Sequence, residues 1–237
     1  MSKTAFTGVA FPWRTRGWLA IASGVVGLIA FALLMAAVTS RTTWIPSGRV
    51  YLLFRAHDVG VVLQFILWIP LAFGLQTLSL QNAPSLSRGT ITWGIAAISL
   101  VAVLLLLSVG KIVNDMFYML PQGVFGAWLI VVNVRLSRLL PRWLRYFGIV
   151  VGLGLVLVGT VFPGLAVFVY PNMLRVPAVP VDDETLQQTE INRILHLVLA
   201  IGSLLGVVTL PIWTLLLGSR LLRVEDPPAS TTDDQLI

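Results

Sequence analysis

The sequence has no cysteine and few charged residues. Without cysteine there are no disulfides, thiolate metal sites or thiol nucleophiles. Charged residues make up only 11% of the 237 positions, against 57% that are hydrophobic, whereas a soluble domain usually has about 25% charged residues. The chain therefore has too few polar residues to cover the surface of a soluble fold of this size.

The hydrophobic residues are gathered in long runs. Ile91–Val109 and Phe147–Asn172 contain no charged residue, and about 20 apolar residues cross a hydrocarbon core roughly 30 Å thick. Backbone N–H and C=O groups in lipid must form hydrogen bonds with one another, so the runs are expected to be helices. The sequence predicts an all-α, polytopic bundle of six spans within residues 1–222: Trp18–Val38, Val59–Leu78, Thr90–Gly110, Phe117–Leu136, Leu144–Tyr170 and Ile191–Leu217. Residues 223–237 are expected to form a polar, disordered tail.

The basic residues predict which way the spans run. Ten of the sixteen lysines and arginines lie on the side of the two termini, six lie on the other side, and six acidic residues also fall on that other side. All of the net charge of +6 is thus on the side of the termini. By the positive-inside rule, both termini are expected in the cytoplasm of a bacterial cell, with the protein in the inner membrane. A basic rim facing anionic lipid explains the charge, and nucleic acid is not an expected partner.

Ionisable residues near the ends of spans are costly in lipid and favour a functional interpretation. They concentrate on the predicted outer side, at the start of the second and sixth helices and in the turn after the third. Polar residues at helical spacing follow them into the spans. His57 and Gln64 are seven residues apart and share a face of the second helix, and one stripe of the fourth helix carries Tyr118, Gln122, Gly126 and Asn133. Together they predict an outward-facing pocket that binds or transports a small polar or anionic ligand. Its candidate residues are Arg55, His57, Asp58, Gln64, Lys111, Asn114, Asp115, Tyr118, Gln122, Glu190, Asn192, Arg193 and His196.

Within this group, Arg55, Lys111 and Arg193 would supply charge-assisted hydrogen bonds to an anion. Two alternatives remain open. Imidazole and carboxylate groups suit zinc or another divalent metal, and a metal-dependent hydrolase acting on a lipid-like substrate would use His57, Asp58, Asp115, Glu190 and His196. In the other alternative the protein is a structural or accessory subunit, and the polar cluster only joins helices. Arg55–Asp58 and Glu190–Arg193, each three residues apart on one helix, are candidate ion pairs.

Two G-x-x-x-G patterns, Gly148–Gly152 and Gly202–Gly206, predict close packing between helices of the same chain. A wider pattern runs from Leu53–Asp58 through Gly123–Ile130 to Leu140–Leu144 and the glycines of the fifth helix. It resembles a bacterial six-helix membrane family of unknown function. The resemblance implies the same architecture, and it implies no activity and no functional residues.

Overall fold

The computed structural model describes residues 13–41, 47–82, 88–114, 116–135, 140–169 and 190–223. The described part is helical, with no strand in those ranges. Five helices are uninterrupted, and the sixth, α6, has a π-helical segment between two α-helical ones. The helices are α1 (Trp13–Arg41), α2 (Ser47–Asn82), α3 (Arg88–Val109), α4 (Met119–Arg135), α5 (Arg142–Phe168) and α6 (Glu190–Gly202, π-helical Ser203–Val208, and Thr209–Leu221). The predicted tail lies outside the described residues beyond Arg223.

All the helices except α4 are long and apolar enough to cross a membrane. The fourth helix is apolar but has 17 residues, which corresponds to about 25 Å. It begins two residues later than predicted because residues 116–118 form a turn. The prediction of an all-α helical bundle is confirmed.

The six helices form a ring in which each packs against its neighbours in sequence, and α1 closes the ring on the Thr209–Leu221 part of α6. Successive helices run in opposite directions. We call the end of the bundle where α3 leads into α4 the Lys111 end. The opposite end, where α4 leads into α5, is the Arg145 end.

Glycines allow α5 to approach both of its neighbours closely. A methyl group on Gly159 would lie 2.5 Å from the Cα of Gly123 in α4, and one on Gly154 would meet the backbone nitrogen of Gly206 in α6. Gly152 likewise faces the backbone of α4. The predicted use of the two G-x-x-x-G patterns within one chain is confirmed.

Aromatic side chains fill the centre of the ring. Trp68 of α2 stacks on Trp213 of α6, with ring centroids 5.9 Å apart and planes 7° apart. Phe125 of α4 packs edge-on against Trp68 and Phe65 at 5.1 and 5.7 Å. The Trp213 indole also donates a hydrogen bond of 3.0 Å to the carbonyl oxygen of Leu144 at the start of α5. This aromatic layer links four of the six helices.

The π-helical segment of α6 has two neighbours that account for it. Pro211 follows it by three residues, and a proline inside a helix has no N–H and pushes against the preceding turn. Gly206 within it lies against the backbone of Gly154. The two halves of α6 then pack differently: Glu190–Gly202 packs on α5, whereas Thr209–Leu221 packs on α1 and α5.

We predict that Gly159→Ala destabilises the bundle, because its methyl group would meet backbone atoms of α4 that cannot move alone. The cost should be about 1–3 kcal/mol, as for other overpacked sites, and chemical unfolding in detergent followed by circular dichroism would measure it. Gly48→Ala is the control, since a methyl group at that position would have nothing within 4 Å. Equal losses in both variants would contradict the close α4–α5 contact.

Candidate functional site

A group of polar side chains joins α2 to α3 at the Lys111 end. The Arg55 guanidinium donates to the Tyr51 hydroxyl at 2.9 Å and to the carbonyl oxygen of Ser108 at 3.3 Å, and it lies 3.8 Å from the Asp58 carboxylate. It also lies over the Tyr51 ring, 5.0 Å from the centroid, while the Lys111 ammonium lies 5.9 Å from the same centroid. We call these five residues the Lys111 cluster. The predicted Arg55–Asp58 ion pair is confirmed.

The backbone holds Lys111 in a conformation that favours glycine. Its φ is 57°, and it is the only described non-glycine residue with a positive φ. The N–H groups of Lys111 and Ile112 donate to the carbonyl oxygens of Ser108 and Leu107, which forms a Schellman turn at the end of α3. A left-handed conformation costs a residue with a side chain roughly 1–2 kcal/mol. The chain therefore places an exposed cation at a position where glycine would be less strained.

Arg55 contributes to this same turn. Its guanidinium and the Lys111 N–H both donate to the Ser108 carbonyl, so Arg55 caps the carboxyl end of α3, where cations are favoured by the helix dipole. Its side chain is 18% exposed. Arg55 thus has a structural role, whereas Lys111 presents its charge to the surroundings.

The turn after the cluster contains two more predicted site residues. The Asn114 side-chain oxygen accepts a hydrogen bond of 2.9 Å from the Met116 N–H, so it shapes the turn into α4. Asp115 lies outside the described residues.

His57 and Gln64 lie on the opposite side of α2 from Arg55. The His57 Nδ1 is 2.9 Å from the carbonyl oxygen of Ala30 in α1 and donates to it. The Gln64 side chain lies beside Gly27 of α1 and Pro211 of α6. The two residues share a face, as their seven-residue spacing predicted, and that face is packed against α1.

The polar residues of α4 point into the bundle. Gln122 is 4% exposed, and Tyr118 is half-buried and packs on the central hydrophobic core. The predicted stripe continues with Gly126 and Asn133, which are buried against α5. The Gln122 Oε1 and the Gln64 Nε2 are buried with no hydrogen-bond partner.

The predicted site residues on α6 do not share one environment. Asn192 is 3% exposed, while Arg193 and His196 are exposed on the surface of the helix. The Glu190 side chain lies outside the described residues. The structure therefore brings Arg55, Asp58 and Lys111 together and places His57, Gln64 and His196 away from them.

In the part of the chain that the structure describes, no three histidine, aspartate or glutamate side chains gather as metal ligands would. Asp115 and the side chain of Glu190 are beyond that part, so the five-residue metal site stays a prediction. Sequence reasoning missed Tyr51 and Ser108. The four-residue spacing of Tyr51 and Arg55 on one helix face was the available signal for the first, but the role of the Ser108 carbonyl had no sequence signal.

Together, the apolar helices and the polar clusters at their ends define a multi-pass α-helical membrane protein. The chain matches no known protein-family model, and no curated protein or solved structure is significantly similar to it.

We predict that His57→Ala destabilises the bundle by about 1 kcal/mol, because the hydrogen bond between α2 and α1 is lost. Thermal unfolding in detergent would measure the change. His196→Ala is the matched control, since that imidazole is exposed and should make little difference. If both substitutions lower the unfolding midpoint equally, the His57–Ala30 bond does not stabilise the α1–α2 contact.

Proposed function

We propose that the protein is a receptor or transporter of the bacterial inner membrane that binds a small anionic ligand at its Lys111 end. Both ends of this chain then lie in the cytoplasm, and the Lys111 cluster faces outward. We further propose that it is a member of the six-helix family of unknown function which the sequence resembles.

The distribution of charge supports this orientation. The Arg145 end carries the excess of basic residues, as a cytoplasmic surface does. The chain has no native cysteine, so a single introduced cysteine would report its own side of the membrane without background.

Labelling with a membrane-impermeant maleimide would test the orientation. Lys111→Cys is expected to react in intact cells, because Lys111 is exposed at the outward end. Arg223→Cys, exposed at the opposite end, is expected to react only after the membrane is permeabilised. If the labelling pattern is reversed, the Lys111 end faces the cytoplasm and the proposal of an outward-facing site is wrong.

The observation that carries the binding proposal is the juxtaposition of Arg55 and Lys111 on one tyrosine ring. Two cations held close together repel each other, and a bound anion relieves that repulsion while it accepts charge-assisted hydrogen bonds. Among the side chains that the structure describes, which exclude those of Asp115 and Glu190, Asp58 is the one carboxylate, and it lies beside Arg55. This leaves the Lys111 ammonium as the principal group for an incoming anion.

The strained backbone at Lys111 supports the same interpretation. Strain of this kind persists where the surrounding structure enforces it, and it is concentrated at functional sites. The aromatic layer lies below the cluster and fills the centre of the ring, so a transport step would have to displace some of those rings. The filled bundle is accordingly a closed state in the proposed cycle.

We predict that Lys111→Gly separates binding from stability. Affinity for the anion should fall roughly tenfold, because a charged donor is removed, while the unfolding free energy should rise or stay the same, because glycine accepts the left-handed backbone. Calorimetric titration of the purified protein with inorganic phosphate, sulfate and small carboxylates would measure the affinity, and chemical unfolding the stability.

Other substitutions complete this experiment. Arg55→Ala should weaken both binding and stability, because Arg55 also caps α3, and Arg223→Ala at the other end should change neither. Arg193→Ala tests whether the site extends to α6, as the sequence predicted. If Lys111→Gly leaves every measured affinity unchanged, the cluster only joins α2 to α3 and the proposal is wrong.

A further inference from the structure

The Lys111 cluster is turned away from the centre of the helix ring. Arg55 precedes Trp68 by thirteen residues, so the two positions are about 140° apart around α2. Trp68 points into the centre, where it stacks on Trp213 of α6. Arg55 instead reaches the end of α3, where it donates to the Ser108 carbonyl. An anion bound at the cluster therefore lies on the outer wall of the bundle and not inside it.

Exposed apolar side chains continue from the cluster along α2. Val59, Leu63 and Ile66 follow Arg55 by four, eight and eleven residues, a spacing that keeps them on its side of the helix. Their side chains are 47%, 49% and 46% exposed. We call these three residues the α2 stripe. The basic group is thus continuous with an apolar surface that faces away from the ring.

Apolar side chains also flank the cluster itself. Leu52, next to Tyr51, is 66% exposed, and Ile112, next to Lys111, is 51% exposed. In water these side chains would stay uncovered on either side of a bound soluble anion, which is unfavourable. The surroundings of the two cations are therefore those of a lipid-facing surface with charge at its edge.

The cations lie at the level of the lipid headgroups. The charge-free stretch between Arg88 and Lys111 is helical as far as Val109 and about 33 Å long, which is close to the roughly 30 Å of a hydrocarbon core. Lys111 is the first charged residue beyond this stretch, and Arg55 is level with Ser108 at the same end. The phosphates of phospholipids lie at this depth.

We propose that the anion of this site is the phosphate of an anionic phospholipid, with one acyl chain along the α2 stripe. The inference rests on the proposed function and names the ligand class of the same site. The exposed ammonium group of Lys111 meets the phosphate as a point charge, and the positive charge of Arg55 adds to the attraction. The acyl chain covers the stripe, which a soluble anion leaves uncovered. A zwitterionic lipid brings its own ammonium group, which both cations repel.

Calorimetric titration of the purified protein tests the two parts of the ligand separately. Glycerophosphoglycerol supplies the headgroup alone, and dioctanoyl phosphatidylglycerol supplies the same headgroup with hydrocarbon. The lipid should bind roughly tenfold more tightly, a factor that corresponds to about two buried methylene groups. Lys111→Gly should weaken the binding of both compounds, and Lys111→Arg should retain it.

Substitutions on the stripe test where the hydrocarbon lies. Val59→Ala with Ile66→Ala should lower the affinity for the lipid roughly threefold, because apolar contact surface is lost, and should leave the affinity for the headgroup unchanged. Val150→Ala with Leu153→Ala is the matched control. Those two side chains are 40% and 50% exposed on α5, so their loss should change neither affinity.

Thermal unfolding in nanodiscs provides a second measurement, made in a bilayer. Replacing part of the phosphatidylcholine by phosphatidylglycerol should raise the unfolding midpoint of the unaltered protein by roughly 2–4 °C. Lys111→Gly should remove this shift. Arg223→Gln, which deletes an exposed charge at the opposite end, should keep it. A shift that survives in Lys111→Gly would place the lipid elsewhere and overturn the inference.

The titrations separate this inference from the proposed function. If the headgroup binds as tightly as the lipid, hydrocarbon contributes nothing, and the inference is wrong while the proposed function stands. If Lys111→Gly binds both compounds as well as the unaltered protein does, the proposed function fails with it. An equal loss of lipid affinity in the α5 control would show only general partitioning into the membrane-facing surface.

A second copy of the chain is the other occupant that the α2 stripe could have. Native mass spectrometry of the unaltered protein and of Val59→Ala with Ile66→Ala distinguishes the two. A monomer that retains phosphatidylglycerol in the unaltered protein, and retains less in the double variant, is the expected result. A dimer that the double variant separates would assign the stripe to a protein interface and contradict the inference.

Discussion

The stack between the indole rings of Trp68 and Trp213 sets the geometry on which the rest of the bundle depends. It fixes the distance between α2 and α6 across the centre, and Phe125 and the Trp213–Leu144 hydrogen bond add α4 and α5 to the same layer. Helices in lipid gain little from the hydrophobic effect, so tight packing of large rings and close approach at glycines must hold them together. Rings fill the centre, and the charged side chains of the described residues lie toward the two ends.

The two ends differ in what they offer a ligand. At the Lys111 end, two cations share one tyrosine ring with a carboxylate nearby, and a hydrogen bond to the end of α3 holds Arg55 in place. At the Arg145 end, arginines lie beside exposed aromatic and aliphatic side chains in a hairpin without acidic residues. The first arrangement is the one on which the proposed binding of a small anion depends.

The spans and the glycine contacts could be predicted from the sequence, because both follow from regular patterns. These patterns are the length of an apolar run and the spacing of small residues along a helix. The site could be predicted only in part. Arg55 and His57 are close in sequence, but two residues turn a helix by about 200°, so Arg55 faces α3 while His57 faces α1. Which neighbour each face meets depends on the order of the helices around the ring, and no local pattern contains that order. The aromatic layer was missed for the same reason, since its members come from three helices.

At the end of α3, the backbone conformation favours glycine but the sequence has a lysine. Packing alone does not explain this conflict. The Schellman turn requires a left-handed residue at position 111, and the chain places a glycine one residue earlier, where it is not needed for the turn. Exchanging the two would relieve the strain without altering any hydrogen bond of the backbone. Natural sequences keep such local conflicts mainly where function requires them, and here the side chain that causes the strain is also the exposed cation of the cluster. The residue that strains the turn is therefore also the one whose ammonium group the proposed anion site requires.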